Sequence, residues 1–380
     1  MSKRKLRILS IAPVVATTGR YGGMPLAAYY QAKHLNQLGH EIYLLTTYSK
    51  GVMRIQGIRE PTIPELLTRH GLILSPTSYA NLMLKSGAIN DYFDIVHMHD
   101  ARDLLSCSLL LSKKRNSNWN VPIIIQTHGS LFLGSKLTTL KKTYDIVFLR
   151  RLVDAVDCWI ATTYDEVLSI LTLGVDRGKI TIIPNGVDEE AIWRYNKSYR
   201  YNSSRDVVLY LGRIHKSKNV ELLIKVMRHL ANLNRRVTLI IAGYDEGEWH
   251  RLARLIRKLS LERNVKYVGF VSEETKYRLI STAKVVAIPK FHCTALTVLE
   301  ALALNKQVIT TRESDRLDEK LEKLITRVDN SPENMAKAIE NALDNTRSEN
   351  SIIGYMFENY SWKSIAEKLE KLYFKILNKS

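Results

Sequence analysis

Residues 283–311, AKVVAIPKFHCTALTVLEALALNKQVITT, carry the pattern that decides the fold. The order of apolar and polar residues predicts a buried strand, a short polar loop, a helix and a second buried strand. Glu300 lies within that helix, about one and a half turns from its start. A helix N-terminus that follows a strand gathers unpaired N–H groups and the positive end of the helix dipole, so it suits phosphate. The stretch therefore predicts a strand–helix unit with an anion-binding loop.

The same alternation of strand and helix continues along the chain and is typical of parallel sheets with right-handed crossovers. The predicted strands are 6–13, 41–47, 94–99, 122–127, 158–162, 179–184, 207–211, 237–242, 265–270, 284–289 and 307–311. The clearest predicted helices are 25–38, 103–111, 137–156, 164–173, 332–343 and 361–377. Residues 185–205 lose the apolar period and predict an interdomain linker. We therefore predict an α/β protein of two doubly wound domains that bind ligands at the carboxyl ends of their strands.

Composition limits the class of partner. The 380 residues include 56 basic and 38 acidic side chains, a net charge of +18, which favours nucleic acid, an anionic membrane surface or phosphorylated substrates. Nucleic acid is not expected, because no zinc-finger spacing or RNP-like strand is present. The odd number of cysteines, three, fits a reducing compartment without disulfides. Arg7 and Pro13 interrupt the first apolar run, which we interpret as a strand of a cytoplasmic protein and not as a signal peptide.

Two strand ends in the first half carry candidate functional residues. Gly22 and Gly23 follow the first strand and precede a helix, where glycine lets the backbone approach a ligand. His128 follows the strand 122–127 and could contact a substrate hydroxyl or carry a proton, although a lone histidine there is more often structural. His97 and His99 share one face of another strand, but no third ligand is near, so a metal site is not expected.

Two further sites lie in the second half. Arg213 and Lys218 follow the strand 207–211, where a planar guanidinium fork and a compact ammonium could meet a diphosphate. Two cations in a loop usually face solvent, but the position between strand and helix favours a binding role here. Glu300, in an otherwise apolar helix, requires a hydrogen-bonding partner. A ribose diol would serve, and so would a structural partner in the protein.

Taken together and in order, these motifs resemble the retaining glycosyltransferases of family 4, which have the GT-B fold. The resemblance runs over residues 6–375 through GG…LA…LGHEI, DIVHMH, THG, ITIIPNGVD, LGR…K, TLIIAG, VKYVGF and LTVLEALA. It implies two Rossmann-like domains facing across a cleft. Residues 1–190 with the crossover helix 361–377 would bind the acceptor, and residues 205–355 would bind the nucleotide-sugar donor.

The resemblance also implies the chemistry and its residues. A sugar would move from a nucleotide-diphosphate donor to an acceptor hydroxyl with retained anomeric configuration and without an obligatory metal. No cofactor is implied, because the nucleotide sugar is a co-substrate. Gly22 and Gly23 would lie near the donor phosphates and the acceptor, and His128 would face the sugar. Arg213 and Lys218 would neutralise the leaving diphosphate. The remaining donor-binding positions are His292, Thr294, Ala295, Leu296 and Glu300, of which Glu300 would bind the ribose.

The chain departs from the family pattern in the segment quoted first. The usual Glu-Gly-Phe-Gly is His292-Cys293-Thr294-Ala295, so a histidine stands where a glutamate touches the transferred sugar. Thr294 could cap the helix that follows. Asn305 and Gln307 replace the usual Gly and Pro of the next turn, and the loop after Thr311 lacks the common glycine pair.

Three functional hypotheses follow. The first is an active hexosyltransferase that builds a glycolipid, a lipid-linked glycan or a surface polysaccharide, with residues 131–151 as a stretch that could dock to an anionic membrane. A buried amphipathic helix explains that stretch almost as well. The second hypothesis, motivated by His292, is a catalytically weakened paralogue that binds a nucleotide sugar or glycan, or supports a partner enzyme. The third keeps the GT-B fold but assigns epimerase or phosphorylase chemistry.

Overall fold

The computed structural model describes residues 4–13, 23–46, 88–131, 138–196, 206–233, 236–345 and 352–378. The chain folds into two compact units. The first contains the opening strand, Gly23–Pro184 and Trp362–Ser380, and the second contains Asn185–Ser361. Each unit is built on its own six-stranded parallel sheet.

The sheet of the first unit has the strand order β2-β1-β3-β4-β5-β6. Its strands are β1 (Arg7–Ala12), β2 (Glu41–Thr46), β3 (Ile95–Met98), β4 (Ile123–Gln126), β5 (Cys158–Ala161) and β6 (Ile180–Ile182). The helices around it are α1 (Gly23–Gln37), α2 (Ala88–Tyr92), α3 (Leu104–Arg115), α4 (Thr138–Val147) and α5 (Tyr164–Leu171). All four residues of β3, β4 and β5 are buried, as expected for central strands that are covered on both faces.

The sheet of the second unit has the order β12-β11-β10-β7-β8-β9. Its strands are β7 (Asp206–Leu211), β8 (Val237–Ala242), β9 (Val265–Gly269), β10 (Val285–Ala287), β11 (Gln307–Thr311) and β12 (Ile325–Val328). Its helices are α6 (Glu189–Asn196), α7 (Val220–Asn232), α8 (Trp249–Lys258), α9 (Glu273–Thr282), α10 (Leu296–Ala303), α11 (Glu319–Glu322), α12 (Pro332–Asp344) and α13 (Ile352–Tyr360). One hydrophobic core runs through the unit.

The last helix, α14 (Trp362–Leu377), packs in the first unit although it follows the second in sequence. The ring of Trp362 stacks on Tyr30 of α1 at 5.3 Å. Glu370 lies 3.0 Å from Nε2 of His40, and both side chains are almost fully buried. Tyr373 forms a 2.7 Å hydrogen bond with Nδ1 of His97 on β3. The helix therefore contributes side chains to the interior of the first unit.

The eleven predicted strands agree with the structure to within two residues at each end. The twelfth, β12, was not predicted because half of ITRV is polar, and of its four residues only Ile325 is buried. The predicted helix 137–156 is too long: α4 ends at Val147, and two 3₁₀ turns, Leu149–Arg151 and Val153–Ala155, follow. Two carbonyls of this segment accept hydrogen bonds from lysine side chains elsewhere in the unit, Arg151 from Lys114 and Val156 from Lys179. These carbonyls therefore do not require α-helical hydrogen bonds.

The prediction of a linker at 185–205 is wrong for the part that the structure describes. Residues 189–196 form α6, whose Ile192 and Tyr195 lie in the core of the second unit. Tyr195 stacks on Tyr277 of α9 at 5.7 Å. The backbone of Val187 pairs with Ser361 at the other end of the unit. The sequence did not predict this helix because most of its residues are polar and its one apolar face is only two turns long.

Candidate functional site

The loop after β7 holds Arg213 and Lys218 in the second unit. Lys218 ends a 3₁₀ turn, Lys216–Lys218, in which the side chain of His215 accepts from the Ser217 N–H. The loop leaves the sheet beside Gly243, which has φ +145° and lies so close to Gly212 that an added Cβ would overlap the Gly212 carbonyl oxygen. Only a glycine can stand there, so the approach of the two strand ends depends on the missing side chain.

The structure brings both predicted cations together. Arg213 is 44% exposed and forms a 2.7 Å ion pair with Glu246 in the loop after β8. Lys218 is half-buried, and burial lowers the pKa of its ammonium below the ordinary value. Its ammonium interacts electrostatically with Cys293, Arg213, Asp315 and Glu246. The cations therefore share one end of the sheet with the loop that precedes α10.

The loop before α10 contains His292, Thr294 and Ala295, and Leu296 is the first residue of the helix, but Thr294 is not the N-cap residue. That position belongs to Ala295, whose side chain has no acceptor for the first amides of α10, which begins at Leu296. The Thr294 carbonyl accepts from Nδ2 of Asn185 at 2.8 Å. The first turn of α10 therefore presents backbone N–H groups that are suited to an anion.

Two positions where the family pattern has glycine adopt left-handed backbone here. Cys293 has φ 58° and Asn305 has φ 56°. Asparagine tolerates this region, whereas a cysteine there stores strain that surrounding contacts must offset. Cys293 is held by its backbone N–H, which donates to Oδ2 of Asp315 at 2.7 Å. The other carboxylate oxygen of Asp315 lies 3.1 Å from Nδ1 of His292.

Glu300 is buried at 4% exposure and has a protein partner. Its Oε1 accepts from Nζ of Lys276 at 2.6 Å and from the Tyr277 hydroxyl at 3.4 Å. Burial raises the pKa of Glu300, with Lys276 acting in the opposite direction. Burial lowers the pKa of Lys276, but Glu300 and Glu273 outweigh that effect and raise it. Oε2 of Glu300 is buried and has no hydrogen-bond partner among the described residues.

In the first unit, His128 lies in a chain of hydrogen-bonded side chains. Its Nε2 is 3.0 Å from Nδ1 of His99, and Nε2 of His99 is 3.1 Å from the Ser10 hydroxyl. The rings of His97 and His99 stack at 4.5 Å. Burial, assisted by His128, lowers the pKa of His97 to about 3, and burial lowers the pKa of His99 as well. The two strand histidines are therefore uncharged at neutral pH.

The backbone around His128 is unusual and is fixed from α5. His128 has φ 44° and Gly129 has φ 77°. The carboxylate of Glu166 accepts from the Thr127 hydroxyl at 2.6 Å and from the Gly129 N–H. Its second oxygen accepts from the N–H of Thr162 at 2.6 Å and from the Thr162 hydroxyl at 2.8 Å. Burial raises the pKa of Glu166 although all four donors favour the charged form.

Of the two remaining predicted residues, the structure describes one. Gly23 is the first residue of α1, whereas Gly22 lies outside the described residues. Across the described ranges, no cluster of three or more His, Cys, Asp or Glu side chains could hold a metal ion. No helix among those ranges combines the length and apolarity that a membrane span requires.

Sequence reasoning missed Asp315 and Glu166. A signal was present for each. Asp315 lies in the loop that lacks the family's glycine pair. The chain therefore departs from the family pattern at this loop as well as at His292. Glu166 is the fourth residue of Thr-x-x-Glu, a capping-box pattern that starts at Thr163. The Thr163 side chain does accept from the Glu166 N–H at 3.2 Å, but the glutamate side chain reaches the His128 loop.

Comparison with known families agrees with this architecture. The model described as Glycosyltransferase Family 4 matches residues 21–191, and the model described as Glycosyl transferases group 1 matches residues 191–355. The chain belongs to glycosyltransferase family 4. Its fold is therefore GT-B, with a Rossmann-like sheet in each unit. This family member is a glycosyltransferase, and the resemblance stated from the sequence is confirmed.

Individual relatives are distant but extend over most of the chain. A phosphatidylinositol N-acetylglucosaminyltransferase subunit from Arabidopsis thaliana is 23% identical over 98% of this chain and 83% of the relative. D-inositol 3-phosphate glycosyltransferase from Kribbella flavida is 22% identical over 77% of this chain and 75% of the relative. Among solved structures, sucrose-phosphate synthase from Thermosynechococcus elongatus aligns over 98% of this chain and all of that chain, with TM-score 0.74 and 16% identity. Anabaena HepE in complex with UDP and glucose aligns over 97% and 100%, with TM-score 0.69 and 16% identity.

Proposed function

We propose that this family 4 enzyme transfers a hexose-type sugar from a nucleotide-diphosphate donor to an acceptor hydroxyl, with retention and without a metal ion or cofactor. One observation carries the proposal. Arg213 and Lys218 lie beside the loop that leads into the first turn of α10, at the carboxyl end of the second sheet. A diphosphate needs cations and backbone N–H donors together, and this arrangement supplies both.

Leaving-group stabilisation is the main task of these residues. As the bond between sugar and diphosphate breaks, negative charge grows on the phosphate oxygens. Arg213 would bind the phosphate oxygens through its guanidinium group, one nitrogen of which donates to Glu246. Lys218 would add a point charge that is only half exposed to water and is therefore less screened. A phosphate oxygen would take the proton of the attacking hydroxyl on the same face of the sugar, which gives retention.

Glu300 would bind the ribose of the donor. Its Oε1 is engaged by Lys276, so the buried Oε2 is the atom that requires a hydrogen-bond donor. A ribose hydroxyl would supply that donor. The ion pair with Lys276 opposes the effect of burial on the pKa of Glu300 and holds the carboxylate in place, which supports a role as an acceptor for hydroxyl groups.

His128 would contact the transferred sugar from the first unit. Its side chain is oriented by His99 and its backbone by Glu166. Gly22 and Gly23 would lie near the donor phosphates, which is consistent with the start of α1 at Gly23. The uncharged state of His97 and His99 leaves His128 beside neutral rings, so it can serve as a hydrogen-bond partner without a fixed positive neighbour.

The acceptor we propose is a glycolipid or lipid-linked precursor, with an inositol phosphate as the first candidate. Two relatives have names that refer to inositol acceptors, phosphatidylinositol and D-inositol 3-phosphate. Near the end of α4, Ile146 is 62% exposed and Phe148 is 53% exposed. Arg150 and Arg151 follow and are also exposed. An exposed apolar group beside cations fits an anionic, peripheral membrane surface on the cytoplasmic side.

The test is a transfer assay with a panel of UDP-, GDP- and ADP-sugars, beginning with UDP-N-acetylglucosamine and phosphatidylinositol vesicles. Arg213→Ala should lower kcat/KM about 10²-fold, the typical loss of one transition-state donor. Arg312→Ala is the matched control, because Arg312 is 69% exposed and pairs with Asp329, which is equally exposed. NMR of the product tests retention, and activity in excess EDTA tests metal independence. Equal activity of both variants would contradict the proposal.

A second candidate is a catalytically weakened paralogue that binds the donor or supports a partner enzyme. The observation in its favour is His292 in place of the glutamate, together with the strained Cys293. Calorimetry with the same donors separates the two functions. Donor binding without transfer or hydrolysis, under conditions where a vesicle acceptor is present, would favour the paralogue.

A further inference from the structure

Two departures from the family pattern meet in one contact. His292 stands at the usual glutamate position, and Asp315 stands in the loop that usually carries a glycine pair. Nδ1 of His292 lies 3.1 Å from Oδ1 of Asp315, and the side chains are 12% and 16% exposed. Each change places an unusual side chain where the other can reach it. The contact between the two side chains therefore accounts for both departures from the family pattern.

The position of Asp315 is fixed by its own loop. Its backbone N–H donates to the Phe291 carbonyl at 3.2 Å, and its carbonyl accepts from Arg327 at 2.7 Å. The preceding residue, Ser314, accepts from the Phe291 N–H at 3.1 Å. Arg327 is itself held by both oxygens of Glu322. The backbone of Asp315 is therefore hydrogen-bonded to the His292 loop and to Arg327, and these bonds position its carboxylate.

The carboxylate also determines which histidine nitrogen carries a proton. An ionised carboxylate only accepts hydrogen bonds, so Nδ1 must be the donor. In the neutral ring, Nε2 then bears a lone pair and faces away from Asp315. A neutral ring and an ionised carboxylate together carry one negative charge, the same as a glutamate. The pair differs from glutamate because it presents one acceptor atom in place of two carboxylate oxygens.

We propose that His292 and Asp315 together replace the carboxylate of the family's glutamate, with Nε2 of His292 accepting a hydrogen bond from a hydroxyl of the donor sugar. Asp315 is a positioning residue, because it acts through His292 and through the Cys293 backbone. This inference rests on the proposed function. The pair would favour sugars that need one acceptor at this position and would select against those held by a bidentate carboxylate.

The activity test compares Asp315→Asn with Glu313→Gln. Glu313 lies two residues away in the same loop, is 45% exposed and pairs with Lys290, so its substitution makes the same charge change without removing the partner of His292. Asp315→Asn should lower kcat/KM for the preferred nucleotide sugar about tenfold or more, as loss of a charged partner behind an oriented histidine does. Affinity for UDP alone should change much less. Glu313→Gln should change neither.

The double variant His292→Glu/Asp315→Asn keeps the proposal testable if the single variant folds poorly. It places one carboxylate directly at residue 292, so it should recover activity and shift the order of preference within the sugar panel. A double variant that is folded by circular dichroism but no more active than Asp315→Asn would overturn the pair as a substitute for glutamate.

A spectroscopic test needs no donor. In protein labelled with ¹⁵N-histidine, the His292 resonances, assigned by their loss in His292→Asn, should show the Nδ1–H form and should change in Asp315→Asn but not in Glu313→Gln. An Nε2–H form in the native protein would overturn the inference alone. If the native protein shows the expected form but neither binds nor turns over any donor of the panel, the proposed function fails and the inference fails with it.

Discussion

Glu166→Gln tests whether the position of His128 depends on a buried carboxylate. Each oxygen of Glu166 accepts from one backbone N–H and one threonine hydroxyl. The amide NH₂ of glutamine replaces one oxygen and faces both donors. A threonine hydroxyl can rotate and accept, but a backbone N–H cannot. One N–H, that of the buried Thr162 or of the half-buried Gly129, is therefore left unsatisfied, whichever way the amide turns.

The size of the effect follows from this count. An unsatisfied buried donor costs about 1–3 kcal/mol, and the remaining bonds lose the gain from a charged acceptor, about 1 kcal/mol. Removing the buried charge offsets part of this loss, because burial already raises the pKa of Glu166. We expect a net loss of about 2 kcal/mol in the free energy of unfolding. A displaced His128 should lower kcat about tenfold, while UDP affinity stays the same.

Hydrogen exchange measured by NMR reports the change locally. The Gly129 amide should exchange at least about tenfold faster in Glu166→Gln, because its acceptor is weakened or lost. Asp165→Asn is the control, since it removes the same charge from the neighbouring position in the same helical turn. Unchanged protection of both Gly129 and Thr162 in Glu166→Gln, with stability equal to that of Asp165→Asn, would refute the reasoning.

Three further predictions concern the packing behind the site. Gly243→Ala should lower the free energy of unfolding, measured with denaturant, by roughly 2–5 kcal/mol, because residue 243 has φ +145° and its Cβ would lie 2.6 Å from the Gly212 carbonyl carbon. The control is Gly354→Ala in α13, where the added Cβ meets no atom within 4 Å, so stability should stay the same or increase. Lys276→Met should lose roughly 3–5 kcal/mol at pH 8, as expected when a buried ion pair loses one partner, while Lys323→Met, 70% exposed, should lose under about 1 kcal/mol. Because burial raises the pKa of Glu300, the stability of Lys276→Met should fall as pH rises through that pKa, so a deficit that does not shrink as the pH is lowered from 8 would contradict the assignment. His99→Phe should lower kcat about tenfold with unchanged UDP binding, since it removes the hydrogen bond to His128, and equal loss of both would instead indicate unfolding.

Much of the fold could be predicted from short stretches of sequence. Parallel strands that are buried on both faces have continuous apolar sequences, such as III at the start of β4 and VVA of β10, and these runs predict the strands to within two residues. The cations Arg213 and Lys218 were predictable for a related reason. They lie in the loop that follows β7, so the chain geometry places them near the carboxyl end of that strand.

Elements and contacts made between distant segments were not predictable in this way. Helix α6 has one short apolar face and is recognised only when Ile192 and Tyr195 meet the core of the second unit. Glu300 could have met a ribose or a protein partner, and its ion pair with Lys276 became evident only once α9 and α10 were packed together.

The sequence alone determined the family, the two parallel sheets and the strand-end loops, because these depend on apolar periodicity and on residues that are close in the chain. Tertiary structure alone decided which side chains complete those loops. Asp315 reaches His292 over 23 positions, and Glu166 reaches the His128 loop over 37 positions at Gly129. Hydrogen bonds between charged and polar atoms depend on direction and distance to within a few tenths of an ångström. No local pattern encodes such a distance, so these partners appear only when the chain is folded.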